Sequence, residues 1–145
     1  MLPREYILAI NAGSSSVKMS LYSIDPSTRK VTVPEIQLES YITNINSPPP
    51  IFTYFHRNTA SKCAELDNQD IKKQKLDRQF SFHDEAFEHF LSHLLKDPAL
   101  PEVSSGNRIR FACHRIVHGG DFPTAETINE ETYNYIEELT DLAPL

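Results

Sequence analysis

The segment from Tyr6 to Ile24, "YILAINAGSSSVKMSLYSI", constrains the fold more than any other part of the chain. Tyr6 to Asn11 is apolar at nearly every position, the pattern of a strand covered on both faces. Val17 to Ile24 alternates, with Val17, Met19 and Leu21 opposed to Lys18, Ser20 and Tyr22, the pattern of a strand with one buried face. Asn11 to Ser16 join the two, small and polar throughout, where an ordinary hairpin needs only two such residues. Asp25-Pro26-Ser27 is a turn signal. Val31 to Ile45 then reads as a third strand, interrupted at Pro34, with Ile36, Leu38 and Tyr41 as its apolar positions. The chain therefore opens as an antiparallel meander.

With 145 residues, 39% hydrophobic and 23% charged, the chain reads as one soluble, globular domain. A net charge of -6 argues against nucleic acid as a partner, because that would require a basic face. No apolar run reaches the length of a membrane span, and the residues after Met1 do not form a signal peptide. Two cysteines, Cys63 and Cys113, are too few for a disulfide framework and lack metal-site spacing. Both are expected as reduced thiols in a cytoplasmic protein, with Cys113 buried in a strand. Only 4 glycines stand against 10 prolines, so Gly13 and the Gly119-Gly120 pair are expected where backbone comes close to something.

Ser47-Pro48-Pro49-Pro50 ends the meander, and residues 47–79 read as an insertion or divergent loop. Lys72, Lys73, Lys75 and Arg78, interleaved with Asp67, Asp70 and Asp77, form either a docking surface or a solvated stretch. Asp84 to Lys96 is the clearest helix, with Phe87, Phe90, Leu91, Leu94 and Leu95 on one face, Ser81 or Asp84 as cap and Pro98 as stop. His89 and His93 have a spacing that suits a metal but no partner in register, and are expected as exposed polar residues. Arg108 to Val117 reads as a strand leading into His118-Gly119-Gly120, and Glu130 to Leu139 as a helix capped near Thr127 or Asn129, with Tyr133, Ile136 and Leu139 on one face. Strands, helix, strand and helix in that order predict an α/β domain with a mixed sheet.

Two stretches carry chemistry. In the first, Gly13 and Ser14 to Ser16 bring backbone N–H groups and hydroxyls to one place, with Lys18 close behind and Asn11 offering a neutral oxygen that can meet a metal-bound water. The same stretch also reads as a plain polar hairpin. In the second, "CHRIVHGGD", Arg115 falls inside an apolar strand, with Val117 placed to wall a small pocket. A buried arginine either pairs with an internal acid or grips a carboxylate or phosphoryl group through its planar fork. His114 and His118 invite a catalytic reading, since His118 precedes two glycines at a strand end, but both read rather as structural, His118 packing against the turn and bonding backbone.

"INAGSSSVK" and "HRIVHGGD" resemble the two signatures of the acetate kinase family, and "EELTDLAPL" resembles the helix end that precedes a further segment of that family. The resemblance is specific over Tyr6 to Asp25 and Arg108 to Leu145, and weak between Ser47 and Gln79. It implies an actin- and sugar-kinase-like ATPase fold of two related domains around a cleft, with residues 1–145 as an incomplete N-terminal domain. It implies reversible phosphoryl transfer from ATP to acetate, giving acetyl phosphate and ADP, with Mg2+, in a homodimer. Position by position, it places Asn11 near the magnesium, Ser14 and Ser16 beside the phosphoryl groups, and Lys18 on the nucleotide. It places Arg115 on the acetate carboxylate or the acetyl-phosphate oxygens, and Val117 and Leu145 around the acetate methyl. No position corresponds to the family's catalytic aspartate, its stabilising histidine and arginine, its acidic metal ligand or its adenosine pocket. The expectation is therefore a front part of such a kinase, inactive alone, with an unpaired sheet edge, exposed apolar faces and poor solubility. The other readings are a remnant that acts as a binding module, and a kinase for propionate or butyrate.

Overall fold

Alternating side chains commit the first three strands to one sheet with two unlike faces, and the computed structural model shows both. It describes residues 4–27, 33–57, 70–104 and 107–139. Among these, β1 (Glu5–Ala12), β2 (Ser16–Ile24), β3 (Glu35–Thr43), β4 (Ile51–His56) and β5 (Ile71–Lys75) run as an antiparallel meander. β6 (Ile109–His114) returns to pair parallel with β1, giving the order β5-β4-β3-β2-β1-β6. The mixed α/β sheet expected from the sequence is thus present. The chain divides into two compact units, Met1–His114 and Arg115–Leu145.

In the first unit, one sheet face presents Leu8, Met19, Leu21, Leu38, Ile42, Phe52 and Tyr54, all buried. α1 (His83–Leu94) lies among them through Ala86, Phe90 and Leu94, spaced four apart, with Phe87 and Leu91 partly buried beside the core. The stripe predicted for this helix is present, centred one residue earlier than its first phenylalanine. Its cap differs from expectation: Phe82 holds the N-cap with no side-chain bond, and Glu85 instead reaches back to accept the Ser81 N–H at 2.8 Å. The opposite sheet face is polar and layered. Lys18 lies over the Tyr41 ring, Tyr41 stacks on Phe55, and Arg57 lies over Phe55.

Residues 47–79, which read in sequence as an insertion or divergent loop, hold β4 and β5. Two sequence expectations are corrected in this unit, those for the α1 histidines and for Cys113. The lysine cluster lies on β5, an edge strand whose Lys72, Lys73 and Lys75 are exposed, a placement that discourages edge-to-edge pairing. His89 and His93 are half-buried, with their rings edge-on to Phe52 at 4.9 and 5.4 Å, and burial lowers both below the ordinary imidazole range. Cys113 is exposed rather than buried, because β6 is the other edge of the sheet; Phe111 beside it is 57% exposed. Cys63 lies outside the described residues.

The sheet is pinned to the segment after α1 by charge. His56 on β4 stands between two carboxylates, with Nδ1 3.0 Å from Asp70 and Nε2 2.8 Å from Asp97. Asp97 also accepts the Tyr54 hydroxyl and the Ala99 N–H. No described helix is long and apolar enough to cross a membrane.

The second unit is organised around a glycine. Gly120 has φ +60, and a Cβ there would meet the Tyr135 Oη at 2.3 Å. The turn is closed by the Gly120 N–H donating to His118 Nδ1 and by the Asp121 N–H donating to the Tyr135 hydroxyl. His118 thus bonds the turn backbone, as its structural reading expects. Tyr135 belongs to α2 (Glu130–Glu138), whose start is a reciprocal capping box between Asn129 and Thr132. The predicted apolar face of this helix is not buried: Tyr133 is 56% exposed. Gly120→Ala should cost about 1–2 kcal/mol for the left-handed backbone alone, with displacement of Tyr135 in addition. The near-ultraviolet signal of Tyr135 and loss of the Asp121 amide's exchange protection report it; a variant identical to wild type in both would contradict this packing.

Candidate functional site

The turn between β1 and β2 is held by its own backbone and by two later segments. The Gly13 N–H donates to the Ser16 carbonyl at 2.8 Å, and a Cβ on Gly13 would sit 3.3 Å from Ser16 Oγ. Three successive carbonyls are then taken by donors from elsewhere in the unit. Gly13 accepts from His83 Nε2–H at 2.6 Å, Ser14 from Asn46 Nδ2 at 2.7 Å, and Ser15 from the Ile45 N–H at 3.0 Å. Asn44, with φ 61, bends the chain so that Ile45 and Asn46 arrive together; asparagine tolerates that conformation better than most residues. Ser14 and Ser15 are exposed, and their N–H groups bond no described residue.

Asn11, Ser14, Ser16 and Lys18 are thereby gathered on one hairpin. Asn11 is half-buried at the end of β1 and lies directly opposite Lys18. The Lys18 ammonium is 3.3 Å from Glu39 Oε1 and 5.0 Å from the centre of the Tyr41 ring. The Tyr41 hydroxyl and Glu39 together raise Lys18 above the ordinary lysine range despite slight desolvation. Burial alone would raise Glu39, but bonds from Arg57, Tyr41 and Lys18 outweigh it and hold the carboxyl below its usual range. Lys18 is therefore a fixed cation beside the turn rather than a free one.

Arg115 and Val117 belong to the second unit. The expectation of a buried arginine inside a strand is corrected: β6 ends at His114, whose pairing with Ile10 is its last, and Arg115 is exposed just beyond it. It makes no ion pair with any described residue, so the alternative of an internal salt bridge is not met among them. Val117 is 65% exposed. Leu145 lies outside the described residues.

The described residues contain no cluster of three or more His, Cys, Asp or Glu side chains suited to a metal ion. At the hairpin, Asn11 offers one neutral oxygen, enough to accept a bond from water bound to a cation but too little to strip such a cation of its water. The turn brings together two amides without a partner among the described residues, serine hydroxyls and a nearby ammonium, groups of the kind that can hold an anion. His83 and Asn46 did not emerge from the sequence, since both stand at element boundaries where periodicity carries no signal.

The chain matches known proteins over nearly all of its length. A family model described as the acetokinase family matches residues 6–145. The chain is similar to a probable acetate kinase of Emericella nidulans, 38% identical over 99% of this chain, and to an acetate kinase of Parabacteroides distasonis, 31% identical over 96%. It spans about 30% of the length of each of these relatives. Among solved structures it is similar to the Porphyromonas gingivalis acetate kinase, with TM-score 0.70 and 27% identity, covering 97% of this chain and 31% of that one. A propionate kinase from Francisella tularensis gives TM-score 0.64 at the same identity, covering 97% and 30%. The fold is accordingly that of the corresponding part of these kinases, an actin-like ATPase fold.

Proposed function

The chain belongs to the acetokinase family, and from that premise we propose that it serves reversible phosphoryl transfer between ATP and acetate. In the forward direction a carboxylate oxygen of acetate bonds to the γ-phosphorus as the bond to the bridging oxygen of ADP breaks, giving acetyl phosphate and ADP. Such transfer is mostly positioning and stabilisation of charge. The observation that carries the reading is the turn at Gly13 to Ser16, where the amides of Ser14 and Ser15 bond no described residue and Lys18 follows on β2. Ser14 and Ser16 would border the phosphoryl oxygens, and Lys18 would lend positive charge to the nucleotide. Arg115, exposed and without an ion pair among the described residues, would grip the acetate carboxylate or the acetyl-phosphate oxygens, with Val117 and Leu145 against the methyl group.

Mg2+ bound to the phosphates would neutralise their charge, and Asn11 fits it only through a bond to one of its waters. A homodimer and a cytoplasmic location belong to the same proposal. So does the choice of acid: a larger pocket wall beside Val117 would exclude propionate, a smaller one would admit it.

The test is calorimetric titration of the chain with acetyl phosphate, together with an Arg115→Ala variant. Arg115→Ala should weaken binding by about tenfold or more, the scale of a charged hydrogen bond. Equal affinity of the two chains, or none in either, would refute the assignment of Arg115. Propionyl phosphate in the same titration separates the two acids.

A further inference from the structure

A peptide unit is planar and trans, so its C=O and the following N–H point in opposite directions. The only cis bond among the described residues is Pro48–Pro49, so the units of the turn are trans. A donor that draws the Gly13 carbonyl to one side therefore turns the Ser14 N–H to the other, and a donor on the Ser14 carbonyl does the same for the Ser15 N–H. Those donors are His83 Nε2 at 2.6 Å and Asn46 Nδ2 at 2.7 Å. Both come from far along the chain, His83 from the first turn of α1 and Asn46 from the bend after β3. Neither side chain needs to touch a ligand for its effect to reach one.

We infer that His83 and Asn46 are positioning residues for the Gly13–Ser16 turn, fixing its carbonyls so that the Ser14 and Ser15 amides are aimed at a phosphoryl oxyanion. This rests on the reading of the turn as a phosphoryl site and adds what keeps it in shape. Amides aimed before the ligand arrives cost no reorganisation when it binds. A carbonyl freed from its donor lets the peptide unit rotate, and the amide loses its aim. The Nε2 position matters, not the imidazole: a glutamine places an amide Nε2 donor at a similar reach, and a leucine places none.

The experiment follows inorganic phosphate and acetyl phosphate titrated into the 15N-labelled full chain by amide shifts. In the wild type, the Ser14 and Ser15 amides should move downfield with phosphate. His83→Leu should weaken that binding roughly five- to tenfold, His83→Gln should restore most of it, and Asn46→Ala should weaken it by a similar factor. The wild type gives a readout that needs no variant. Its His83 Nε2–H should appear as a slowly exchanging imidazole proton that shifts when phosphate is added. Phosphate affinity unchanged in His83→Leu, no rescue by glutamine, or the absence of that imidazole proton would overturn the positioning role while leaving the turn as an anion site. No response of Ser14 and Ser15 in the wild type would overturn the turn reading and the positioning role with it.

Discussion

A Phe90→Ala chain will lose about 3–5 kcal/mol of folding stability, the range for truncating a buried aromatic ring where neighbours cannot collapse. Phe90 is fully buried on α1, with its ring 6.3 Å from that of Tyr54 and 6.4 Å from that of Phe87. It stands midway between Ala86 and Leu94, the other two residues by which the helix is buried. The void would therefore open at the centre of the helix–sheet contact rather than at an end. Urea unfolding at neutral pH reads the loss as a lower midpoint with an unchanged slope. Phe82→Ala is the control: Phe82 is 69% exposed, and its removal should move the midpoint little. A loss below about 1 kcal/mol at Phe90 would mean that α1 does not pack on the sheet as described.

His56→Leu should be nearly as costly, and its cost should depend on pH. Both imidazole nitrogens face carboxylates, so the bonded arrangement needs both of them protonated. Removing the cation leaves Asp97, whose side chain is 2% exposed, and Asp70 facing an apolar group, at about 3–5 kcal/mol. Burial by itself would lower His56, but Asp97 and Asp70 outweigh it and raise the group above the ordinary 6.5. The stability it contributes is therefore fully present below pH 6.5 and is lost as pH rises through the higher folded value. Asp97 works in the opposite sense. Burial would raise it, but bonds from His56, Tyr54 and the Ala99 N–H hold it below 3.8. Its contribution is present above pH 3.8 and is lost as pH falls through the folded value. The gap between wild type and His56→Leu should thus be widest between these limits and narrow on the alkaline side. A gap that stayed constant into alkaline solution would show that His56 is not held as a cation.

The parts of the fold legible in the sequence were those where one periodicity acts alone. β2 alternates because one face meets the core and the other does not, and α1 shows its stripe because only one side of it is covered. β4 was illegible because both its faces carry aromatic residues: Phe52 and Tyr54 enter the core, while Phe55 stacks on Tyr41 on the other side. β5 was illegible for the opposite reason, since Ile71 alone among its residues packs on the core. The apolar run that continues to Val117 predicts a strand through Arg115, yet pairing with β1 stops at His114. At the candidate site, the turn itself was visible as composition. Its supports were not, because a bond between His83 and Gly13 spans 70 positions and leaves no local pattern.

The position of β6 also has a consequence for how the chain reaches its native state. β1 to β5 each pair with the strand made just before or just after, so this part of the sheet can assemble strand by strand before α1 closes over it. β6 instead must find β1, aligning Ile109 with Tyr6 across almost the whole first unit. Closing so long a loop costs entropy before any pairing repays it, and non-local parallel pairing is the slow kind. During synthesis the meander and its helix can therefore form as the chain emerges, leaving the outer side of β1 open until β6 arrives. The order of assembly is written into the sheet: the strand that carries the polar turn gains its second neighbour last.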